Sequence, residues 1–255
     1  MGYPTDILAT RAVIKHGEYA IIPPTGLVNN VIPGMENCRV SIVASPKMGA
    51  SFVQYVVEAM PGIGRTTLPF AAAEGIESFL YCLDGQGEAS AGDKTIPLYE
   101  GAYLYAPAGI GISFASSDDA PLRLMLYKQR YVPLEGHAPH VVAGKAMEME
   151  YRIYDDMDNV LIKDLLPTDV GFDLNFHILS FMPGGSHPFI ETHVQEHGAY
   201  ILSGEGAYFL GGEWRMIRQD DFVWFGPFTT QGAYGVGREA FTYVYSKDCN
   251  RDVTL

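Results

Sequence analysis

The chain has 255 residues, 47% of them apolar, and a formal net charge of −13, which excludes nucleic acid and anionic membranes as partners. Charged residues make up only 18%, so a globular protein with a sizeable core is expected and a disordered one is excluded. No run of apolar residues reaches membrane-spanning length, and the start Met1-Gly-Tyr-Pro-Thr-Asp-Ile-Leu8 lacks a basic segment followed by an apolar one, so a cytoplasmic location is expected.

In chain order, β-branched and aromatic runs at 52–59, 79–83, 102–105 and 122–127 predict strands in the first half. Pro133, Gly136, Pro139 and Gly144 then mark a linker. The segment 158–166 is the best candidate for a short helix. Strands are predicted again at 175–181, 199–202, 222–225 and 241–245. Many short strands between Gly and Pro signals mean an all-β sandwich or barrel. Cys38, Cys82 and Cys249 are an odd number without a CxxC pair, so reduced thiols are expected.

The two halves repeat each other. Tyr81-Cys-Leu-Asp-Gly85-Gln-Gly87 matches Tyr200-Ile-Leu-Ser-Gly204-Glu-Gly206 at an offset of 119 residues (81 to 200). Gly101 to Pro107 aligns with Asp220 to Gly226 at the same offset, and Lys128 falls on Lys247. Upstream, Ala59-Met-Pro-Gly62 matches Phe181-Met-Pro-Gly184 at an offset of 122 (59 to 181). A period this long indicates duplication of a whole small domain and not a solenoid.

The second half carries the chemistry. Glu191, His193 and His197 stand at i, i+2 and i+6, a spacing that puts all three on one face of an extended strand. A carboxylate and two imidazoles on one face make a candidate transition-metal site. Gly184/Gly185, then Glu191-x-His193-x3-His197-x6-Gly204, then Gly226-Pro227-x3-Gln231, resemble the two motifs of the cupin superfamily with the donor types permuted. Gln231 takes the ligand position of the second motif. Its counterpart 119 residues earlier is Ile112, which ends the frame Pro107-Ala-Gly109-Ile-Gly-Ile112. The first-half counterparts of the other donors are Ala72, Glu74 and Ser78, a set that cannot hold a metal; Glu74 and Glu77 remain as surface or interface carboxylates.

The cupin resemblance implies a bicupin, two tandem double-stranded β-helix (jelly-roll) barrels with few short helices. Residues 1–130 form a barrel without metal ligands, 131–158 a linker, and 159–255 the metal-bearing barrel. Donors of this type favour Mn(II), with Fe(II) next and then Zn and Ni. Glu191 to Gly204, Tyr234-Gly-Val-Gly237, Tyr243 to Asp252, Glu74-Gly-Ile-Glu77 and Arg130-Tyr-Val-Pro133 are similar to the (S)-ureidoglycine aminohydrolase family of allantoin degradation. The loop 62–73, with Arg65 and Pro69, departs from it.

That resemblance implies hydrolysis of (S)-ureidoglycine to (S)-ureidoglycolate with release of ammonia. It places metal ligands on Glu191, His193, His197 and Gln231, and substrate contacts on Tyr208, Tyr243 and Lys247. Glu191 and Lys247 are the candidate catalytic groups, Glu191 as a proton shuttle beside the substrate. His187, just before the candidate ligands, is expected in a loop role with a place in the pocket wall as the alternative, and His177 in a structural one. Glu196, of opposite strand parity to His197, is expected to point away from the metal. The competing readings are another metal-dependent cupin, a dioxygenase or isomerase on a small carboxylate, and a non-catalytic storage or sensor bicupin. A homo-oligomer, dimer or higher, is expected because cupins pair through barrel edges.

Overall fold

Strands Val53–Ala59, Ile76–Asp84, Ala102–Ala106 and Leu122–Arg130 are buried along most of their length. Each faces the interior of its own barrel on one side and the second barrel on the other, so the usual polar face of an antiparallel strand is missing. The computed structural model describes residues 10–117 and 120–253. The reading of the first eight residues, and the outer ends of both expected domains, lie outside them.

A six-stranded sheet has the order Val142–Lys145, Ala102–Ala106, Ile76–Asp84, Leu122–Arg130, Val53–Ala59, Cys38–Ala44. The second half repeats it as Tyr19–Ile22, Phe222–Phe225, His197–Ser203, Phe241–Asp248, Leu174–Phe181, Met157–Asp164, extended by one short strand at each end. Smaller sheets close each barrel; in the second half this is Glu213–Arg218, Glu205–Leu210 and Gln231–Val236. The repeat of 119 residues is therefore a repeat of strand order: two tandem jelly-roll barrels, the bicupin architecture. No helix of the described residues is long and apolar enough to cross a membrane.

The sheets cross the boundaries expected from the sequence. Tyr19–Ile22 pairs with Phe222–Phe225 in the second barrel, while Val142–Lys145 pairs with Ala102–Ala106 in the first. Each barrel has an edge whose backbone groups need partners, and the strand preceding the other barrel supplies them. The segment 158–166, expected as a helix, is mostly strand, Met157–Asp164. Its Val160, Ile162 and neighbours bury against the barrel, and sheet pairing overrides a weak local preference.

The motif glycines have one physical cause in both halves. Gly85 and Gly204 have φ of 85° and 70°. A Cβ there would lie 2.3 Å from the Pro121 carbonyl oxygen and 2.4 Å from that of Ala240, positions again 119 residues apart (121 to 240).

The barrels share a core. Phe79 and Phe176 stack with ring centroids 3.8 Å apart, and Tyr127 meets Phe176 edge-on at 5.1 Å. Two carboxylates are buried in this interface at repeat-equivalent positions, Glu77 and Glu196. Glu77 accepts from Tyr105 Oη at 2.5 Å and Gln129 Nε2 at 2.7 Å. Glu196 accepts from Trp224 Nε1 and the Ser51 amide, both at 2.9 Å, and so points away from the site as expected from its parity. Glu74 is exposed.

Burial, and then the Asp173 carboxylate, push the Glu77 carboxyl well above the ordinary range. Asp173 Oδ1 is buried without another donor, so a proton held by Glu77 serves both. The folded chain keeps this proton at pH values where the unfolded chain has released it, above about 4.3. Stability contributed at low pH is therefore lost as pH rises toward the folded-state value. In urea unfolding, Glu77→Gln is expected to lose less stability than the parent as pH rises above the ordinary carboxylate value. Equal losses in both proteins would contradict this assignment.

Candidate metal centre and active site

The four candidate donors converge at the inner wall of the second barrel, although not by the route the spacing suggests. Of Glu191, His193 and His197, only His197 lies in a regular strand, His197–Ser203, while Gln231 opens the strand Gln231–Val236. Residues 184–191 run antiparallel to Gln231–Val236. The Gly184 amide donates to Gly235 O, the His187 amide to Ala233 O, and Glu191 and Gln231 exchange both backbone hydrogen bonds at 2.9 Å. That bridge, across 40 residues (191 to 231), sets the carboxylate beside the amide. After it the chain leaves extended geometry. The Phe228 amide donates to His193 O at 2.7 Å, and the Glu196 amide donates to Asp248 Oδ1 at 3.0 Å. The shared strand face expected for Glu191, His193 and His197 is thus replaced by a bridged residue, a loop residue and a strand residue.

Both imidazoles are oriented by carbonyls. His193 Nδ1 lies 3.0 Å from Gln195 O, and His197 Nδ1 lies 2.8 Å from Ser246 O. A carbonyl only accepts, so each Nδ1 carries the proton and each neutral ring keeps a lone pair on Nε2. The two Nε2 atoms face each other at 3.3 Å. Two lone pairs at that distance repel unless a cation lies between them. This is the tautomer that carbonyl partners impose on metal-binding histidines. Burial holds both rings below the ordinary histidine value, with Lys247 adding to it at His193 and the neighbouring His193 adding to it at His197.

Glu191 Oε1 is 4.0 Å from His193 Nε2 and is also hydrogen-bonded by Gln231 Nε2. Gln231 Oε1 accepts from Tyr208 Oη at 3.2 Å. Among the described residues, no three His, Cys, Asp or Glu side chains, Glu191, His193 and His197 included, are drawn together tightly enough to form a metal-binding group by themselves; the fourth candidate donor is the Gln231 amide. A primary amide presents oxygen or nitrogen by a half-turn, and the oxygen is its metal donor. The donor set of two imidazoles, a carboxylate and an amide oxygen fits a divalent first-row cation.

No protein-family model matches the chain. The chain is 51% identical over 255 residues to the (S)-ureidoglycine aminohydrolase of Escherichia coli (strain K12), covering 100% of this chain and 97% of that one. It belongs to the (S)-ureidoglycine aminohydrolase family. The crystal structure of protein Ylba from E. coli superposes with a TM-score of 0.88 at 48% identity, covering 100% of both chains. Oxalate decarboxylase of Bacillus subtilis, a protein with Mn(II) centres, shares the fold at 12% identity, with a TM-score of 0.65 over 94% of this chain and 79% of that one.

Tyr208, Tyr243 and Lys247, the residues expected from the sequence as substrate contacts, line the same cavity. Tyr243, Tyr245 and Lys247 alternate along Phe241–Asp248 and point to one face, and Tyr208 faces them from Glu205–Leu210. Burial pushes the phenols of Tyr208 and Tyr243 up, so both remain O–H donors. Lys247 is half-buried and, among the described residues, has no carboxylate within ion-pair distance.

Three more residues belong to this wall. Tyr245 was legible in the parity it shares with Tyr243 and Lys247. Tyr154 lies in the expected linker, where no signal pointed inward. His187, expected in a loop role, lines the cavity. The Ala233 amide donates to its Nδ1 at 3.0 Å, so the neutral ring carries its proton on Nε2. His177 lies on the neighbouring strand, where it holds Asp164 at 2.7 Å and, with Arg152, depresses that carboxyl to about 2. That is the structural role expected of it.

Proposed function

We propose that the chain carries out the family's reaction, converting (S)-ureidoglycine and water to (S)-ureidoglycolate and ammonia in allantoin degradation, at a Mn(II) held by Glu191, His193, His197 and Gln231. The observation that carries this is the pair of unprotonated Nε2 atoms 3.3 Å apart beside a carboxylate and an amide. Two hard oxygen donors with two imidazoles favour Mn(II), then Fe(II), over Zn and Ni. When bound, the metal orients the substrate by chelation and stabilises developing negative charge.

The chain's own residues supply the rest. Lys247 offers an unpaired ammonium for the substrate carboxylate. Tyr208 and Tyr243 donate from opposite walls, and His187 Nε2–H adds a third neutral donor. Leu179, Ala199 and Phe225 close the cavity and limit bulk water. Carbon bearing an amine and a ureido group expels ammonia readily, so the enzyme's task is to choose the leaving nitrogen and the face that water attacks. Glu191 is placed to move a proton toward the departing amine. Glu191→Gln is expected to keep its fold and lose at least about a hundredfold in turnover. Full metal content together with full turnover would rule out the shuttle.

The deciding experiment combines metal analysis with ammonia release from freshly generated (S)-ureidoglycine and the enantiomeric excess of the product. Racemic product at the uncatalysed rate would overturn the assignment. The fourth protein donor, Gln231, argues against a dioxygenase, which needs more open positions. The setting we propose is cytoplasmic, where Cys38, Cys82 and Cys249, all unpaired, stay reduced. Trp214, Met216 and Tyr234 stand exposed on the outer face of the three-stranded sheet, which supports a homo-oligomer of two or more chains.

A further inference from the structure

A cavity of about 640 Å³ lies between the two barrels, separate from the metal cavity. Its volume is that of a small-molecule site. Phe52, Ile76, Lys128 and Arg130 line it from the first half, and Val194 and Asp248 from the second. Most of the wall is apolar.

Its cations are unusual. Lys128 is the repeat counterpart of Lys247, 119 residues earlier (128 to 247). The first barrel has apolar Ile112 at the position matching Gln231, and that residue packs in a core with Tyr55, Phe70, Leu80 and Leu104. The lysine persists all the same. Its Nζ sits 5.6 Å from the Tyr55 ring centroid and 5.5 Å from that of Phe70. Arg130 is two residues further along Leu122–Arg130 and so lies on the same strand face. Among the described residues neither cation has a carboxylate within ion-pair distance. The carboxylates that also line the cavity, Asp173, Asp248 and Asp252, accept from the Val132, Glu196 and Val253 amides, so the two cations without ion-pair partners beside an apolar wall are the groups free to meet an anion with a small apolar body.

The cavity also shares a wall with the metal site. Val194 and Gln195 belong to the loop that carries His193, and the Gln195 carbonyl accepts the His193 Nδ1 proton. Asp248 follows Lys247 and accepts the Glu196 amide at 3.0 Å. An occupant therefore touches the segment that orients His193.

We propose that this inter-barrel cavity is a second binding site, for a small organic carboxylate held by Lys128 and Arg130, whose occupancy is felt at the His193 loop. The site itself rests on the unpaired cations; only its coupling rests on the proposed reaction.

Butyrate and (S)-ureidoglycolate serve as probes, with binding to the metal-loaded enzyme followed by saturation-transfer NMR, which needs no turnover. Butyrate reads the cavity through its apolar tail, and ureidoglycolate is the proposed product. Binding of butyrate is expected in the parent and in Lys247→Met. It is expected to weaken at least about tenfold in Lys128→Met/Arg130→Gln and to survive in Lys128→Arg, which keeps the charge. Ureidoglycolate is expected at two sites in the parent and at one in either charge-removing variant. Saturating butyrate is expected to shift KM for (S)-ureidoglycine at least about threefold in the parent and not in Lys128→Met/Arg130→Gln. Should the double variant misfold, Arg130→Gln alone, at an exposed position, is expected to weaken butyrate measurably. Undiminished butyrate binding in these variants, or its loss in Lys247→Met, would overturn the site. Binding with an unchanged KM would overturn the coupling.

Discussion

His197→Ala is expected to lose its metal and, with it, stereospecific ammonia release. The ring is only 5% exposed, with Nδ1 committed to Ser246 O and edge-on contacts to Phe225 and Tyr245 at 4.9 and 5.1 Å. Outer partners of metal ligands typically cost 10- to 100-fold in affinity when removed. Loss of the ligand itself should cost at least about 100-fold. The folding readout separates this from simple damage. A metal that binds only the folded chain adds about 4 kcal/mol at a thousandfold excess over Kd. The parent is therefore expected to gain thermal stability on adding Mn(II) and to lose it on chelation, whereas His197→Ala responds to neither. A variant that keeps stoichiometric metal and the parent's Mn(II)-dependent stabilisation would remove His197 from the ligand set.

Lys247→Met is expected to do the opposite, keeping the metal and losing the substrate. The ammonium has no carboxylate partner among the described residues and lies in the same cavity as the four donors. Truncating one partner of a desolvated charge pair costs about 2–5 kcal/mol, which at about 1.4 kcal/mol per decade is about 30-fold to several thousandfold in kcat/KM. Lys247 is half-buried, so the lower part of that range applies. Metal content and the unfolding midpoint should match the parent, and Lys247→Arg should recover part of the loss because it restores the charge without the geometry. A kcat/KM within about threefold of the parent would show that the carboxylate is bound elsewhere. Together the two variants separate metal binding from substrate binding, because metal content and Mn(II)-dependent stability fall in one and hold in the other.

The candidate site was largely legible because its residue types are rare in combination and recur at motif spacing. The mechanism of its assembly was not. Strand parity suggested a single face for Glu191, His193 and His197, yet Glu191 is placed by a bridge to Gln231 and His193 by a loop. Parity is a local rule, and the partner that fixes Glu191 lies 40 residues away. Tyr154 was missed for the same reason, since it enters the cavity from a segment whose local pattern reads as linker, while His187 was legible only as the alternative to a loop role.

The duplication, the all-β class and the candidate donor residues follow from the amino-acid sequence alone. They depend on composition, on spacing and on glycines such as Gly85 and Gly204 that only one backbone conformation explains. Tertiary structure decided which strands complete which barrel, the burial of Glu77 and Glu196 between the barrels, and the cavity that unites Lys128 and Arg130 with the His193 loop. Each of these joins segments far apart in the chain. Edge pairing and burial are satisfied by whichever segment reaches the open edge or apolar face, and no local pattern names that segment in advance.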